Sequence, residues 1–159
     1  MFSLENGIKN AKSSMVLALV LTLINTVILF LGYFDIFVMN VSFPYSLFTT
    51  SVHFVWAIDA LSTGYVEIGI LYAATAILVT GFFIAPLLLL NSKPKWLIAA
   101  AVAVLADTIY MVFVYTSFFQ SNDYLFDVFF HAWLLVTIVL GIIAAFKAPK
   151  EVKDPLTNL

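Results

Sequence analysis

Apolar residues gather into four long runs, at 14–31, 66–90, 96–119 and 125–146, and none of them contains a lysine. A helix crossing the roughly 30 Å hydrocarbon core of a bilayer needs about 20 such residues, so each run predicts a membrane span. The first follows Lys9 and Lys12 as a signal peptide would. Its apolar stretch exceeds the usual ~7–15 residues, however, and Gly32-Tyr33-Phe34-Asp35 offers no small-x-small cleavage site, so it reads as an uncleaved span.

Composition agrees with the pattern. The chain has 159 residues, 64% of them hydrophobic and 10% charged, against about 45–50% and about 25% in soluble domains. So few charges cannot solvate a water-soluble body of this size, which excludes a disordered chain, a nucleic-acid binder and a cytosolic enzyme. Without cysteine there is no disulfide framework and no thiolate chemistry.

Charge placement sets the expected topology. All seven basic residues are lysines: Lys9 and Lys12 before the first span, Lys93 and Lys95 between the second and third, and Lys147, Lys150 and Lys153 after the fourth. With four spans and a cytoplasmic N-terminus every lysine is cytoplasmic, as the positive-inside rule expects. The outer side then carries Asp35, Asp59 and Asp123, with Glu67 and Asp127 near the rim. A fifth span over 36–57 would break this sorting and force Asn40, Pro44, Ser51 and His53 into lipid. The expectation is therefore an all-α, four-span integral protein of the cell membrane, folded as one domain with both termini cytoplasmic.

The segment 32–65 holds Tyr33, Phe34, Phe37, Phe43, Tyr45, Phe48, Phe54, Trp56 and Tyr65, too much apolar surface for a free loop. Pro44 and Thr49-Thr50-Ser51 predict short helices broken by a turn. A lid or re-entrant cap and a plain interfacial anchor both fit. Small residues recur at four-residue spacing, Gly69 with Ala73, Gly81 with Ala85, Ala99 with Ala103 and Gly141 with Ala145, which permits close helix packing within one bundle or between protomers. Pro86 falls near the end of the second span, as a kink or a shaper of the last turns.

No phosphate loop, His-Glu-x-x-His, Gly-x-Ser-x-Gly or EF-hand pattern occurs, so candidate chemistry rests on polar residues at membrane depth. At ~1.5 Å per residue, Asp107 lies about 18 Å from the outer end of its span and His131 about 9 Å deep in its own. Asn25 and Tyr72 come out near His131 in depth, with Thr22, Thr75 and Tyr110 about one turn deeper. Asp127 and His131 share a helix face. Together these residues predict an outward-facing polar chamber with Glu67, Asp127 and His131 at its mouth and Asp107 at its floor. Such a chamber would bind or transport a small solute, a cation or a proton.

Asp127, His131, Glu67 and His53 are also candidate ligands for a divalent metal such as zinc, nickel or manganese, which would make the chain a metal-dependent enzyme at the outer leaflet. The bland alternative pairs Asp127 with His131 along the helix and Asp107 with Tyr110 or Asn25, as structural glue. The chain would then be a structural subunit, as a homo-oligomer or beside a membrane partner.

Ala106-Asp107-Thr108, the stretch from Phe126-Asp127-Val128 through Phe129-Phe130-His131-Ala132-Trp133, and Gly141-Ile142-Ile143-Ala144-Ala145-Phe146-Lys147, with Ala11-Lys12-Ser13-Ser14 ahead of an aliphatic span, resemble a family of small, uncharacterised bacterial membrane proteins. The resemblance covers spans 1, 3 and 4. It implies that Asp107, Asp127 and His131 belong to the family pattern, and it brings no activity or substrate.

Overall fold

The computed structural model describes residues 4–33, 46–89, 96–119 and 124–147. Five α-helices account for nearly all of them: α1 (Leu4–Tyr33), α2 (Phe48–Ser62), α3 (Val66–Leu89), α4 (Leu97–Val114) and α5 (Tyr124–Lys147), with a π-helical turn, Tyr115–Phe119, continuing α4. Four of these are long and apolar enough to cross a membrane, over Asn6–Gly32, Val66–Leu89, Leu97–Ser117 and Leu125–Lys147. The chain is accordingly a multi-pass, all-helical membrane protein whose long helices turn apolar side chains outward. Leu23, Leu71, Ile77, Leu88, Ile109 and Phe129 all lie on that exposed face, which suits lipid rather than water.

Helix bounds differ from the expected spans in two places. α1 starts ten residues earlier than the apolar run, so Lys9 and Lys12 sit on its first turns, exposed, instead of ahead of it. The α-helical part of α4 ends at Val114, five residues short of the expected bound. Lys93, Lys95, Lys150, Lys153, Asp35, Asp123, Pro44 and the aromatics Phe34, Phe37, Phe43 and Tyr45 lie outside the described residues.

The four long helices do not pair evenly. α1 packs along α5, α5 along α4, and α3 leans chiefly on α2, with a thinner contact to α4. Ala11, Met15 and Ala18 of α1, Leu97, Ala100 and Val104 of α4, and Leu134 and Ile138 of α5 form the main core with Leu47 and Phe83. Small residues set the closest approaches. A Cβ on Gly141 would lie 2.6 Å from the Ala11 Cβ and 3.3 Å from Leu97 Cδ1, so α1, α4 and α5 converge at the end that carries Lys9, Lys12 and Lys147. At the other end α2 turns into α3 through Gly64, whose φ of 88° is in the left-handed region that favours glycine. Pro86 is buried in α3 and the helix runs past it to Leu89.

Gly69 lets the α2–α3 hairpin close: an added Cβ would meet Leu61 Cγ at 2.6 Å and the Ala57 carbonyl at 3.1 Å, whereas one on Gly81 would meet nothing within 4 Å. We expect Gly69→Val to lower stability by about 1–2 kcal/mol through overpacking and Gly81→Val to be near neutral. Thermal unfolding of the two variants in one detergent compares them directly.

Candidate functional site

α2 is only 15 residues long, about 22 Å at 1.5 Å per residue, and its N-terminus is buried among the longer helices. A helix start leaves backbone N–H groups without intrahelical partners, and burying them unbonded is costly. The residue at the N-cap is Leu47, which has no side-chain acceptor. Other helices supply the acceptors instead. The Leu47 N–H donates to Thr22 Oγ1 of α1 at 2.8 Å, the Phe48 N–H to Asp107 Oδ2 of α4 at 2.8 Å, and the Thr49 N–H to Asp107 Oδ1 at 2.7 Å. The Asp107 carboxylate thus caps α2 from another helix, where the positive end of the helix dipole favours its charge.

His131 of α5 completes the arrangement. Its Nδ1 lies 2.9 Å from the Asp127 carbonyl oxygen and its Nε2 lies 3.1 Å from Asp107 Oδ2. A carbonyl only accepts, so Nδ1 carries hydrogen. Nε2 faces a carboxyl oxygen, and a hydrogen must lie between them to make the contact attractive. The His131–Asp107 pair therefore holds one shared proton and is neutral as a unit. Both residues are nearly closed off, Asp107 at 2% and His131 at 3% exposed.

The same level of the bundle holds further polar contacts. Asn25 Nδ2 donates to Ser46 Oγ at 3.2 Å, the Thr22 hydroxyl donates to the Ala18 carbonyl, and Thr26 Oγ1 lies 3.2 Å from Ser51 Oγ. Thr50 and Thr80 share a hydrogen bond of 3.0 Å between α2 and α3. On the other side of α2, His53 Nε2 and the Tyr110 hydroxyl lie 2.7 Å apart. The His53 ring stacks near Trp56 at 5.6 Å and sits 4.9 Å from the Tyr72 ring. Burial holds the His53 imidazole below its ordinary value, against the opposing pull of the Asp107 charge. Its Nδ1 is buried and has no hydrogen-bond partner among the described residues.

Beside this cluster, between α3 and α4, lies a cavity of about 530 Å³. Leu78, Val79 and Phe82 of α3 and Ala99, Val102, Ala103 and Ala106 of α4 form its walls, and Thr49, His53, Thr75, Asp107 and Tyr110 lie at one end. Leu78, Phe82 and Val102 are also exposed on the outside of the bundle, so the cavity opens between α3 and α4 on the apolar surface.

Known proteins offer no guide here. The chain matches no family model, no curated protein and no solved structure. The resemblance of spans 1, 3 and 4 to small bacterial membrane proteins has no counterpart in those comparisons.

Of the residues singled out from the sequence, Asp107 and His131 meet directly, and Tyr110, Tyr72 and His53 form one aromatic group. Depth counted from the expected bounds separates Asp107 from His131 by about two turns. The 3.1 Å contact between their side chains places the two at one level, so the count from the ends of the apolar runs overstates the offset. Asp127 is buried and contributes its carbonyl to His131, so the contact along α5 runs through backbone. Asn25 bonds Ser46, and Asp107 bonds backbone, rather than either bonding the other.

Glu67 stays apart, exposed on the first turn of α3, where its charge suits the helix start. Among the described residues no three His, Asp or Glu side chains gather as metal ligands. The proposed set Asp127, His131, Glu67 and His53 is thus not brought together. The cavity between α3 and α4 is walled mainly by apolar side chains, whereas most described polar residues at depth are bonded to one another or to backbone.

The sequence reading missed the N-terminus of α2 as the partner of Asp107. Thr49-Thr50-Ser51 reads as a turn by composition, yet it forms the first turn of a helix. The usual signal, a Ser, Thr, Asp or Asn at the N-cap, is absent because its function is performed by Asp107, 59 positions beyond the first helical residue, Phe48.

Proposed function

We propose that this membrane protein binds a small, mostly apolar molecule in the cavity between α3 and α4, taking it up laterally from the bilayer. The observation that carries this reading is the cavity itself, about 530 Å³ with walls of Leu78, Val79, Phe82, Val102 and three alanines. Small-molecule sites run about 300–1,000 Å³ and are lined mainly by apolar groups with a few polar ones. A hydrated cation would gain little from such walls, and the one carboxylate nearby already accepts two backbone N–H bonds and faces His131. This narrows the expected solute to an uncharged, lipid-soluble one. In this proposal the lysine-bearing end of the bundle is cytoplasmic, by the positive-inside rule, and α2 is a re-entrant half-helix that roofs the site.

Asp107 and His131 then hold the roof in place and do not contact the solute. The test is uptake of radiolabelled n-undecane by the protein in lipid nanodiscs, measured against empty nanodiscs of the same lipid. Saturable excess uptake approaching one molecule per chain is expected for the wild type. Ala103→Phe, which fills the cavity, should abolish the excess, while Val139→Phe on the lipid-facing side of α5 should leave it intact. Equal uptake by protein-containing and empty nanodiscs would overturn the proposal.

A further inference from the structure

The polar end of the cavity specifies more than apolar character. Tyr110 lines the cavity and has one hydrogen-bond partner among the described residues, His53 Nε2 at 2.7 Å. A phenolic hydroxyl both donates and accepts, so which capacity remains free depends on which atom of this pair holds the proton. The unpartnered Nδ1 decides it. A buried N–H without an acceptor is rarer and more costly than a bare acceptor lone pair, and His53 Nδ1 is buried with no partner. Either tautomer leaves one donor unpaired, the buried Nδ1–H or the Tyr110 O–H, and only the Tyr110 O–H faces the cavity, where a ligand can pair with it; with the site occupied the neutral ring therefore leaves Nδ1 bare and carries its hydrogen on Nε2, which donates to the Tyr110 oxygen. The Tyr110 O–H is left as an unused donor at the end of an otherwise apolar cavity.

Several neighbouring groups at that end are already engaged. The Thr49 N–H and both Asp107 oxygens are engaged in the cap of α2, and the Thr75 hydroxyl donates to the Leu71 carbonyl of its own helix. A charged head group of either sign would have to shed its water to enter, and Asp107, already bonded to two N–H groups and His131, is not free to compensate it. We infer that the ligand is an uncharged apolar molecule carrying a carbonyl oxygen, such as a long-chain ketone or ester, which accepts a hydrogen bond from Tyr110 while its hydrocarbon lies between α3 and α4. This rests on the cavity reading above and names the chemical class that the site selects.

The experiment compares 2-undecanone with n-undecane, two chains of equal carbon number that differ by one carbonyl, in the nanodisc uptake assay. The wild type should bind the ketone more tightly than the alkane after correction for partition into empty nanodiscs. Tyr110→Phe should lower ketone affinity about 3- to 10-fold, the range of one net hydrogen bond, and leave alkane affinity unchanged. Infrared spectra of bound 2-undecanone should show a carbonyl stretch displaced to lower wavenumber in the wild type and returned to its unbonded position in Tyr110→Phe. Equal affinities for ketone and alkane, with no displaced stretch, would overturn the carbonyl inference while leaving the cavity reading intact. Saturable binding of neither compound would overturn both. If Tyr110→Phe weakens ketone and alkane binding equally, the residue only shapes the cavity and the inference fails.

Discussion

Replacing Asp107 by alanine is expected to destabilise the protein by about 3–5 kcal/mol, the cost of breaking a buried, hydrogen-bonded charge pair by removing one partner. Three groups lose their partner at once. The Phe48 and Thr49 N–H groups lose their acceptor inside the bundle, and His131 Nε2 loses the oxygen at 3.1 Å. Each becomes a buried polar group without a bond, and no side chain on α2 itself stands in, since its N-cap is Leu47. His131→Ala should cost less, because Asp107 would keep both backbone donors. The double variant should cost less than the sum of the two single ones, as expected of residues in contact. Denaturant unfolding in bicelles, followed by tryptophan fluorescence, gives all three values. A change below about 1 kcal/mol for Asp107→Ala would remove the capping role assigned to this residue.

The second large effect is expected at Gly141, where valine should lower stability by about 2–3 kcal/mol. The contact is unforgiving because its near neighbours are small and rigidly placed. The Ala11 Cβ would lie 2.6 Å from the new carbon and the Gly7 carbonyl 3.4 Å from it, with only Leu97 able to swing aside. Relief would require α1 to move off α5, along the most extensive pairing among the long helices. The steric origin can be isolated by compensation. Gly141→Ala combined with Ala11→Gly should recover most of the stability lost in Gly141→Ala alone, read from the same unfolding curves. No recovery would mean that the loss arises from helix propensity or the unfolded state and not from this approach.

Much of the architecture was legible in the sequence because bilayer physics acts on composition over windows of about 20 residues. The runs at 66–90 and 125–146 match α3 and α5 to within a residue at either bound. The start of α1 was not legible in the same way. Polar residues such as Asn6, Lys9 and Lys12 continue a helix past the apolar run, and the hydropathy pattern marks only the apolar part.

The site divides similarly. The cost of charge at depth singled out Asp107, and that residue is central. Which group it meets depends on three-dimensional pairing over a separation of 59 residues, to which local pattern is blind. Among the described residues, polar side chains at depth satisfy one another or nearby backbone, and open space is left where alanines line α4.

The cap on α2 also dictates an order of events during synthesis. Residues 48 and 49 leave the ribosome well before their acceptor, 59 and 58 positions later in the chain. At about 5–20 residues per second this is a wait of about 3–12 s. Throughout that interval α1 can offer Thr22, but the carboxylate has not yet been made. α2 can therefore take its final place only after Asp107 of α4 has been made, and His131 can join only after a further 24 residues. A chain truncated between the third and fourth long helices and released from the ribosome should accordingly hold α2 with its Asp107 bonds formed and its imidazole partner still missing.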